Sequence, residues 1–191
     1  MPRAHRLAPV LATAVLAAAA LATTGTAHAA PAHAPAAHPR AALDLSCSQS
    51  YLPLPDPSCT PGATNPDVSQ DTIDDTICEA GYSSSIRPPT SYTNRLKVQQ
   101  IAQYGYADTD TADYEEDHFI PLSLGGHPTD PKNLWPEPRY AADPSGLTAA
   151  DKDKVEYKLY RAVCNRQVNL VPAQQAIATN WTTALSVLGL G

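Results

Sequence analysis

Several residue types are scarce in this chain, and each scarcity narrows the class of protein. Of the 191 residues, only one is Phe, one is Met and nine are Gly, and 17% are charged, against 19 Pro. This is not the composition of a coiled coil or of a disordered tail. Because 43% of the residues are apolar, the composition instead indicates one loop-rich globular domain with a real core.

Positive charge is also scarce. The formal net charge is −6, which argues against a protein that holds nucleic acid by bulk positive charge alone. The bases are unevenly spread, since seven acids and no base lie between Asp44 and Glu79, whereas ten basic residues lie between Arg87 and Arg166. A surface that binds a polyanion must therefore come from the second stretch.

Only one long apolar run is present, and it lies at residues 7–21, after two arginines. It is shorter than the roughly 20 residues that a membrane-spanning helix needs. The small-x-small pattern at residues 27–29 is typical of a signal-peptidase site. We therefore expect residues 1–29 to be a cleaved signal peptide, residues 30–46 to be a flexible lead-in rich in Ala and Pro, and the protein to be secreted rather than bound to a membrane. Cleavage would change the net charge to −8.

The chain lacks a Cys-x-x-Cys pair, which disfavours a zinc site built from cysteines. Its four cysteines instead indicate two disulfides in an oxidising compartment, with three possible connectivities. We favour Cys47 with Cys59, which closes a Pro-rich loop, and Cys78 with Cys164, which ties the early part of the domain to a late helix.

The pattern of apolar residues predicts a single α+β domain, mostly helical, over residues 47–191. Helices are expected at Ser69–Cys78, at Thr93–Tyr104 with Thr93 as the cap, at Thr148–Cys164, and from Pro172 to just before Gly189. Aromatic and β-branched residues predict a strand over Tyr114–Leu124, and Asn133–Pro136 is a second extended piece.

The residues that carry chemistry surround His118. It follows Glu115, Glu116 and Asp117 directly. A hard cation takes carboxylate oxygens, and a water nucleophile needs a neutral base within hydrogen-bonding reach. An acidic cluster next to an imidazole therefore indicates metal-assisted hydrolysis. The other histidine in this part, His127, precedes a Pro and is expected to cap a turn.

The order of these residues is recognisable. The segment DHFIPLSLGG at residues 117–126, followed by NLWP at 133–136, resembles the HNH family of ββα-metal endonucleases, with fourteen residues between His118 and Asn133. The segments CTPGA, TIC, SIRPP, YGY and the Lys152-Asp153 helix are similar to secreted bacterial nucleases of the HNH type. This resemblance covers residues 59–181.

The resemblance implies that the disulfide-stapled domain is built around a ββα-metal core at residues 112–164. His118 would activate the attacking water, Asp117 would bind the metal, and Asn133 would fix the loop between the strands. The position where the family usually has a helical His or Asn falls at residues 141–143, AAD, in a predicted loop. The second metal ligand is therefore expected from the following helix, with Asp153 and Glu156 as candidates.

One His with two carboxylates suits Mg²⁺ first, with Mn²⁺, Ca²⁺ or Zn²⁺ as alternatives. The expected substrate is DNA, or RNA, cleaved without sequence preference, because no sequence-reading module is visible. The enzyme is expected to act as a monomer, and an immunity or inhibitor protein is a candidate partner. Phosphate contacts are expected from four basic side chains: Arg87, Arg95, Lys132 and Arg139.

Two other functions remain open on the sequence alone. One is a non-catalytic secreted binding protein that keeps the metal finger as a structural element. The other is a hydrolase of a different bond that uses Glu115 or Glu116 with Asp117 as a carboxylate pair. The two differ from a nuclease in whether DNA is cleaved and in whether His118 is needed.

Overall fold

The computed structural model describes residues 47–191, so the predicted signal peptide and lead-in lie outside the described residues. Over that range the chain forms a small α+β domain with a two-stranded antiparallel sheet and two disulfides. No helix among residues 47–191 is long and apolar enough to cross a membrane. In chain order the elements are α1 Tyr82–Ser85, α2 Thr90–Gln103, β1 Tyr114–His118, β2 Leu134–Pro138, α3 Ala149–Cys164, α4 Leu170–Asn180 and α5 Ala184–Val187.

The sheet pairs β1 with β2, so that His118 lies opposite Leu134 and Asp117 opposite Trp135. The predicted strand over Tyr114–Leu124 is wrong in its second half, because β1 ends at His118. Pro121 cannot donate a backbone hydrogen bond to a sheet, and the chain continues as a 3₁₀ turn over Leu122–Leu124. The second strand begins at Leu134, one residue later than predicted, and reaches Pro138.

Helix α3 begins as the sequence predicts. Thr148 and Asp151 form a reciprocal capping box at its first turn. Leu159, Ala162 and Val163 are buried on one face of this helix. The 3.6-residue period of apolar side chains was therefore sufficient to find both the helix and its buried face.

The bounds of the other helices differ from prediction. Helix α2 begins at Thr90 and not at Thr93, because Pro89 is extended and can precede the first turn directly. The helix predicted at Ser69–Cys78 is only a 3₁₀ turn over Gln70–Thr72 followed by further turns. The single helix predicted from Pro172 is two helices, since α4 runs from Leu170 to Asn180 and the short α5 follows. Pro172 lies in the first turn of α4, where its missing N–H costs nothing.

The core lies between the sheet and the helices. Trp135 is fully buried and packs against the ring of Tyr104, with 6.1 Å between the ring centroids. Its predicted position in the core is confirmed. Trp181 is buried at the other end of the chain, and its indole N–H donates a hydrogen bond to the carbonyl of Pro53 at 2.9 Å.

Both favoured disulfides are confirmed. Cys47 pairs with Cys59 across 12 residues, and Cys78 pairs with Cys164 across 86 residues. In the chain-entropy model, a loop of the second length stabilises the folded state by about 4–5 kcal/mol. This bond attaches the last residue of α3 to the early part of the domain.

Candidate catalytic site

His118 lies at the end of β1 and is 4% exposed. Its Nε2 atom is 3.0 Å from the carbonyl oxygen of Pro128. A carbonyl only accepts hydrogen bonds, so Nε2 carries the proton and the lone pair of the neutral ring is on Nδ1. Burial lowers the pKa of His118 from its usual value of 6.5. At neutral pH the imidazole is therefore uncharged and able to accept a proton at Nδ1.

Asn133 fastens the loop that joins the two strands. Its amide N–H groups donate to the carbonyls of Ile120 at 2.9 Å and His127 at 3.1 Å. Its amide oxygen accepts from the backbone N–H of Ile120 at 2.9 Å and of Ala63 at 3.3 Å. The side chain is fully buried. The same loop supplies the Pro128 carbonyl that holds His118, so Asn133 fixes the imidazole indirectly.

The loop also depends on close backbone packing at Gly126. A Cβ atom at this position would lie 1.7 Å from the carbonyl oxygen of Ile120. The preceding Gly125 has a φ of 71°, in the left-handed region that favours glycine. The double glycine is therefore required by the geometry of the loop.

His127 does not face the site as a ligand. Its Nδ1 accepts the backbone N–H groups of Thr129 at 3.2 Å and Asp130 at 3.0 Å. This is the turn-capping position that the sequence indicated.

The side chain of Lys152 lies at the centre of the predicted metal site. It is 0% exposed, and its Nζ donates to Asp117 Oδ2 at 2.6 Å, to Glu156 Oε1 and to the backbone carbonyl of His118 at 3.3 Å. Burial lowers the pKa of Lys152, but the carboxylates of Asp117 and Glu156 raise it more, so that the net shift is upward. We call Asp117, Lys152 and Glu156 the ion triad.

Sequence reasoning missed Lys152 as a site residue. A signal for it was present, because Lys152 lies two helical turns before the buried Leu159 and one turn before Glu156. Extending the apolar stripe of α3 toward its N-terminus would have placed Lys152 on the buried face.

The two candidate helix ligands occupy different positions. Glu156 is partly buried and shares the ammonium with Asp117, whereas Asp153 is exposed. Burial raises the pKa of Glu156 above its usual value, although the Lys152 charge opposes the shift. Asp153 also has a raised pKa, through desolvation and the charge of Asp117. The geometry brings Glu156, and not Asp153, to the same point as Asp117.

The chemistry of these donors fits one of the expected metals better than the others. Mg²⁺ keeps several of its waters and binds through one or two carboxylates together with substrate phosphate. Asp117 and Glu156 supply two carboxylates at one point, which the ammonium of Lys152 occupies in this structure. In residues 47–191 no group of three or more His, Cys, Asp or Glu side chains is placed to hold a metal.

A second buried acid, Glu137, lies on β2 near the triad. It is 3% exposed, and sequence reasoning did not single it out. Burial and the charge of Asp117 raise its pKa well above the usual 4.5. Glu115 lies opposite Glu137 in the sheet and forms an ion pair with Arg139, at 3.0 Å. Arg139 is therefore engaged by a carboxylate, which weakens its expected role as a phosphate contact.

The remaining expected phosphate contacts are exposed: Arg87, Arg95 and Lys132. The charge of Arg87 acts on the imidazole of His118 and lowers its pKa, after burial as the main cause. Lys132 directly precedes Asn133 in the strand-connecting loop. Arg95 lies on α2 and acts electrostatically on Tyr92, whose hydroxyl donates to the carbonyl of Thr129 in the same loop at 2.5 Å.

Glu116 is buried without a partner. Both of its carboxyl oxygens are inaccessible and have no hydrogen-bond partner. Burial raises the pKa of Glu116 to about 8, with a further contribution from the charge of Asp117. Its carboxyl is therefore protonated in the folded protein at neutral pH.

This burial predicts a pH-dependent effect of Glu116→Gln. Between pH 4.5 and about 8 the folded protein holds a proton on Glu116 that the unfolded chain has released. Stability contributed at this position therefore falls as the pH rises through that window. We expect the variant to gain stability relative to wild type from pH 4.5 to 8 and no further gain above it. Urea unfolding in EDTA at a series of pH values measures the difference, and a difference independent of pH would contradict the prediction.

No protein-family model matches this chain, and no curated protein or solved structure matches it either.

Proposed function

We propose that this protein is a secreted, metal-dependent endonuclease that hydrolyses phosphodiester bonds of DNA without sequence preference. The observation that carries the proposal is the state of His118. It is a neutral imidazole at the end of a strand, with its proton fixed on Nε2 and its lone pair on Nδ1, and the charge of Asp117 acts on it. Such a group is a general base suited to activating water near neutral pH.

The order of the elements supports an HNH-type ββα-metal finger. Strands β1 and β2 form the hairpin, and α3 follows them. Helix α3 brings Glu156 to the ammonium that also holds Asp117 on β1. Asn133 holds the connecting loop through backbone hydrogen bonds, as the resemblance implies for that residue.

In this mechanism each residue has a distinct task. His118 takes a proton from water at Nδ1, while the Pro128 carbonyl keeps the ring in the correct tautomer. Asp117 and Glu156 would hold a divalent ion, for which Mg²⁺ is the best fit. When bound, such an ion neutralises charge on the scissile phosphate and on the departing oxygen.

The charge distribution supports a substrate held by local contacts. Three exposed basic residues, Arg87, Arg95 and Lys132, lie in the stretch that contains ten of the chain's 13 Lys and Arg residues. Contacts of this kind go to phosphates and carry no sequence information. Binding should therefore weaken steeply as the salt concentration rises.

A plasmid-nicking assay tests this function. We expect wild type to nick supercoiled plasmid with Mg²⁺ and to stop when EDTA is added. Glu156→Ala removes one carboxylate that faces the triad and should reduce the rate about 100-fold, a typical loss for a group in a metal site. Asp153→Ala is the matched control, because it removes an exposed carboxylate from the same helix, and its rate should stay within a few-fold of wild type.

The alternatives make different predictions in the same assay. Plasmid left intact with each of Mg²⁺, Mn²⁺, Ca²⁺ and Zn²⁺ would favour the non-catalytic binding protein. Nicking that persists in EDTA would remove the metal from the mechanism. Equal losses for Glu156→Ala and Asp153→Ala would contradict the assignment of the helix ligand.

A further inference from the structure

A lysine that is completely buried is unusual and needs an explanation. Long charged side chains are almost never fully buried unless they are paired. Lys152 lies near the start of the longest helix, and its ammonium contacts two carboxylates and the backbone of His118. The chain therefore places its own cation at the point where the proposed function requires an external one.

We propose that Lys152 is a positioning residue that assembles the metal site before the metal arrives. Its ammonium holds the carboxylates of Asp117 and Glu156 together in the metal-free protein and limits the negative charge that they present to an incoming ion. This inference rests on the proposed metal-dependent function. It explains how the site stays assembled without metal and why the site binds metal weakly.

The physical basis is the cost of two buried carboxylates without a cation. Removing one partner from a buried ion pair is strongly destabilising, because it leaves a charge without compensation. Asp117 and Glu156 come from different elements, β1 and α3, so their repulsion would push the helix away from the sheet. Lys152 removes that repulsion, and its third contact, to the His118 carbonyl, joins the base to the same assembly.

The same ammonium sets the charge available to a metal. With all three groups ionised, the ion triad has a formal charge of −1, whereas the two ionised carboxylates alone would have a formal charge of −2. A divalent ion should therefore bind weakly to the protein alone. The phosphate of the substrate would supply the missing negative charge, as is common for Mg²⁺ sites. Metal and nucleic acid are then bound together rather than one after the other.

Wild-type protein provides the first test. Its thermal unfolding should be nearly the same in EDTA and in millimolar Mg²⁺ or Mn²⁺, because Lys152 already compensates the carboxylates. Mn²⁺ should bind to it only weakly in the absence of nucleic acid, as measured by electron paramagnetic resonance of the free ion. A large metal-dependent rise in the unfolding temperature of wild type would overturn the inference.

The second test is Lys152→Met, with Lys152→Gln as a variant that keeps a hydrogen-bond donor but not the charge. Each should unfold at a lower temperature than wild type in EDTA and recover much of the loss in Mn²⁺. Each should also bind Mn²⁺ about tenfold more tightly than wild type, or more. A role confined to packing would lower stability without raising the affinity for metal.

Lys154→Met is the matched control. Lys154 is on the same helix and pairs with Asp151 at 2.9 Å, but its side chain is largely exposed. Its removal should change neither the unfolding temperature nor the affinity for Mn²⁺. If Lys152→Met does not fold, Lys152→Gln and the wild-type comparison carry the test. Unchanged or weaker Mn²⁺ binding in a folded Lys152 variant overturns the inference.

These measurements separate the inference from the proposed function. If no nucleic acid is cleaved but the Lys152 variants bind Mn²⁺ more tightly than wild type, the nuclease proposal fails and the role of Lys152 stands. If cleavage requires Mg²⁺ but the Lys152 variants bind metal no better than wild type, the nuclease proposal stands and the role of Lys152 fails.

Discussion

Replacing His118 by alanine is expected to lower the rate of plasmid cleavage about 10²- to 10⁴-fold, the range that a general base contributes. The reason is local, because His118 is the buried imidazole beside Asp117 and its Nδ1 lone pair is fixed by the bond from Nε2 to Pro128. Single-turnover cleavage with saturating Mg²⁺ measures the change. The affinity for Mn²⁺ should be unaffected, since the carboxylates of the ion triad remain.

His127→Ala is the matched control for that measurement. His127 is the other histidine of residues 47–191, and it caps a turn through Nδ1. Its loss should reduce stability modestly and, because the turn carries Pro128, lower cleavage by far less than His118→Ala does. Protonation of His118 should limit the wild-type rate only below pH 6.5, because burial lowers the pKa of His118 from that value. Metal-dependent plasmid cleavage that survives His118→Ala would remove His118 as the general base.

Asn133→Ala is expected to cost about 3–5 kcal/mol of folding free energy, a large value for one polar residue. The variant leaves the buried backbone groups of Ile120, and part-buried groups of Ala63 and His127, without their partner. Because the same loop positions Pro128 against His118, cleavage should fall even under conditions where the variant is folded. Urea unfolding and cleavage below the unfolding transition measure the two effects.

Asn94→Ala controls for the removal of an amide side chain. Asn94 is exposed on α2, and exposed substitutions usually change stability by less than about 0.5 kcal/mol. If Asn133→Ala were as stable as wild type, the loop would not depend on its side chain. If it were destabilised yet fully active, the loop would not position the base.

The sequence was informative where local rules act. The capping box and the apolar period of α3 located that helix, and the cysteines of the Pro-rich loop and of α3 were paired correctly. The end of β1 was missed because Pro121 and the hydrogen bonds of Asn133 override the β-forming residues after His118. Strand propensity is a weaker guide than the backbone constraints of a neighbouring turn.

The candidate site could be predicted only in part. The Asp117-His118 pair and Asn133 stood out because their chemistry and spacing are local in the sequence. Lys152 and Glu137 did not, because charged residues are ordinarily placed on the surface, and their burial depends on contacts between β1, β2 and α3. A choice between Asp153 and Glu156 likewise requires the rotation of α3 about its axis, which only packing determines.

The positions of Trp135 and Trp181 have a practical consequence for these experiments. The chain has two tryptophans, and both are buried, one against the sheet and one beneath Pro53 near the start of the described chain. The emission maximum of each tryptophan should therefore shift to longer wavelength when its region unfolds and becomes exposed to water. Single-tryptophan variants made with Phe would report the two regions separately, and coincident transitions would indicate that the sheet and the C-terminal helices unfold as one cooperative unit.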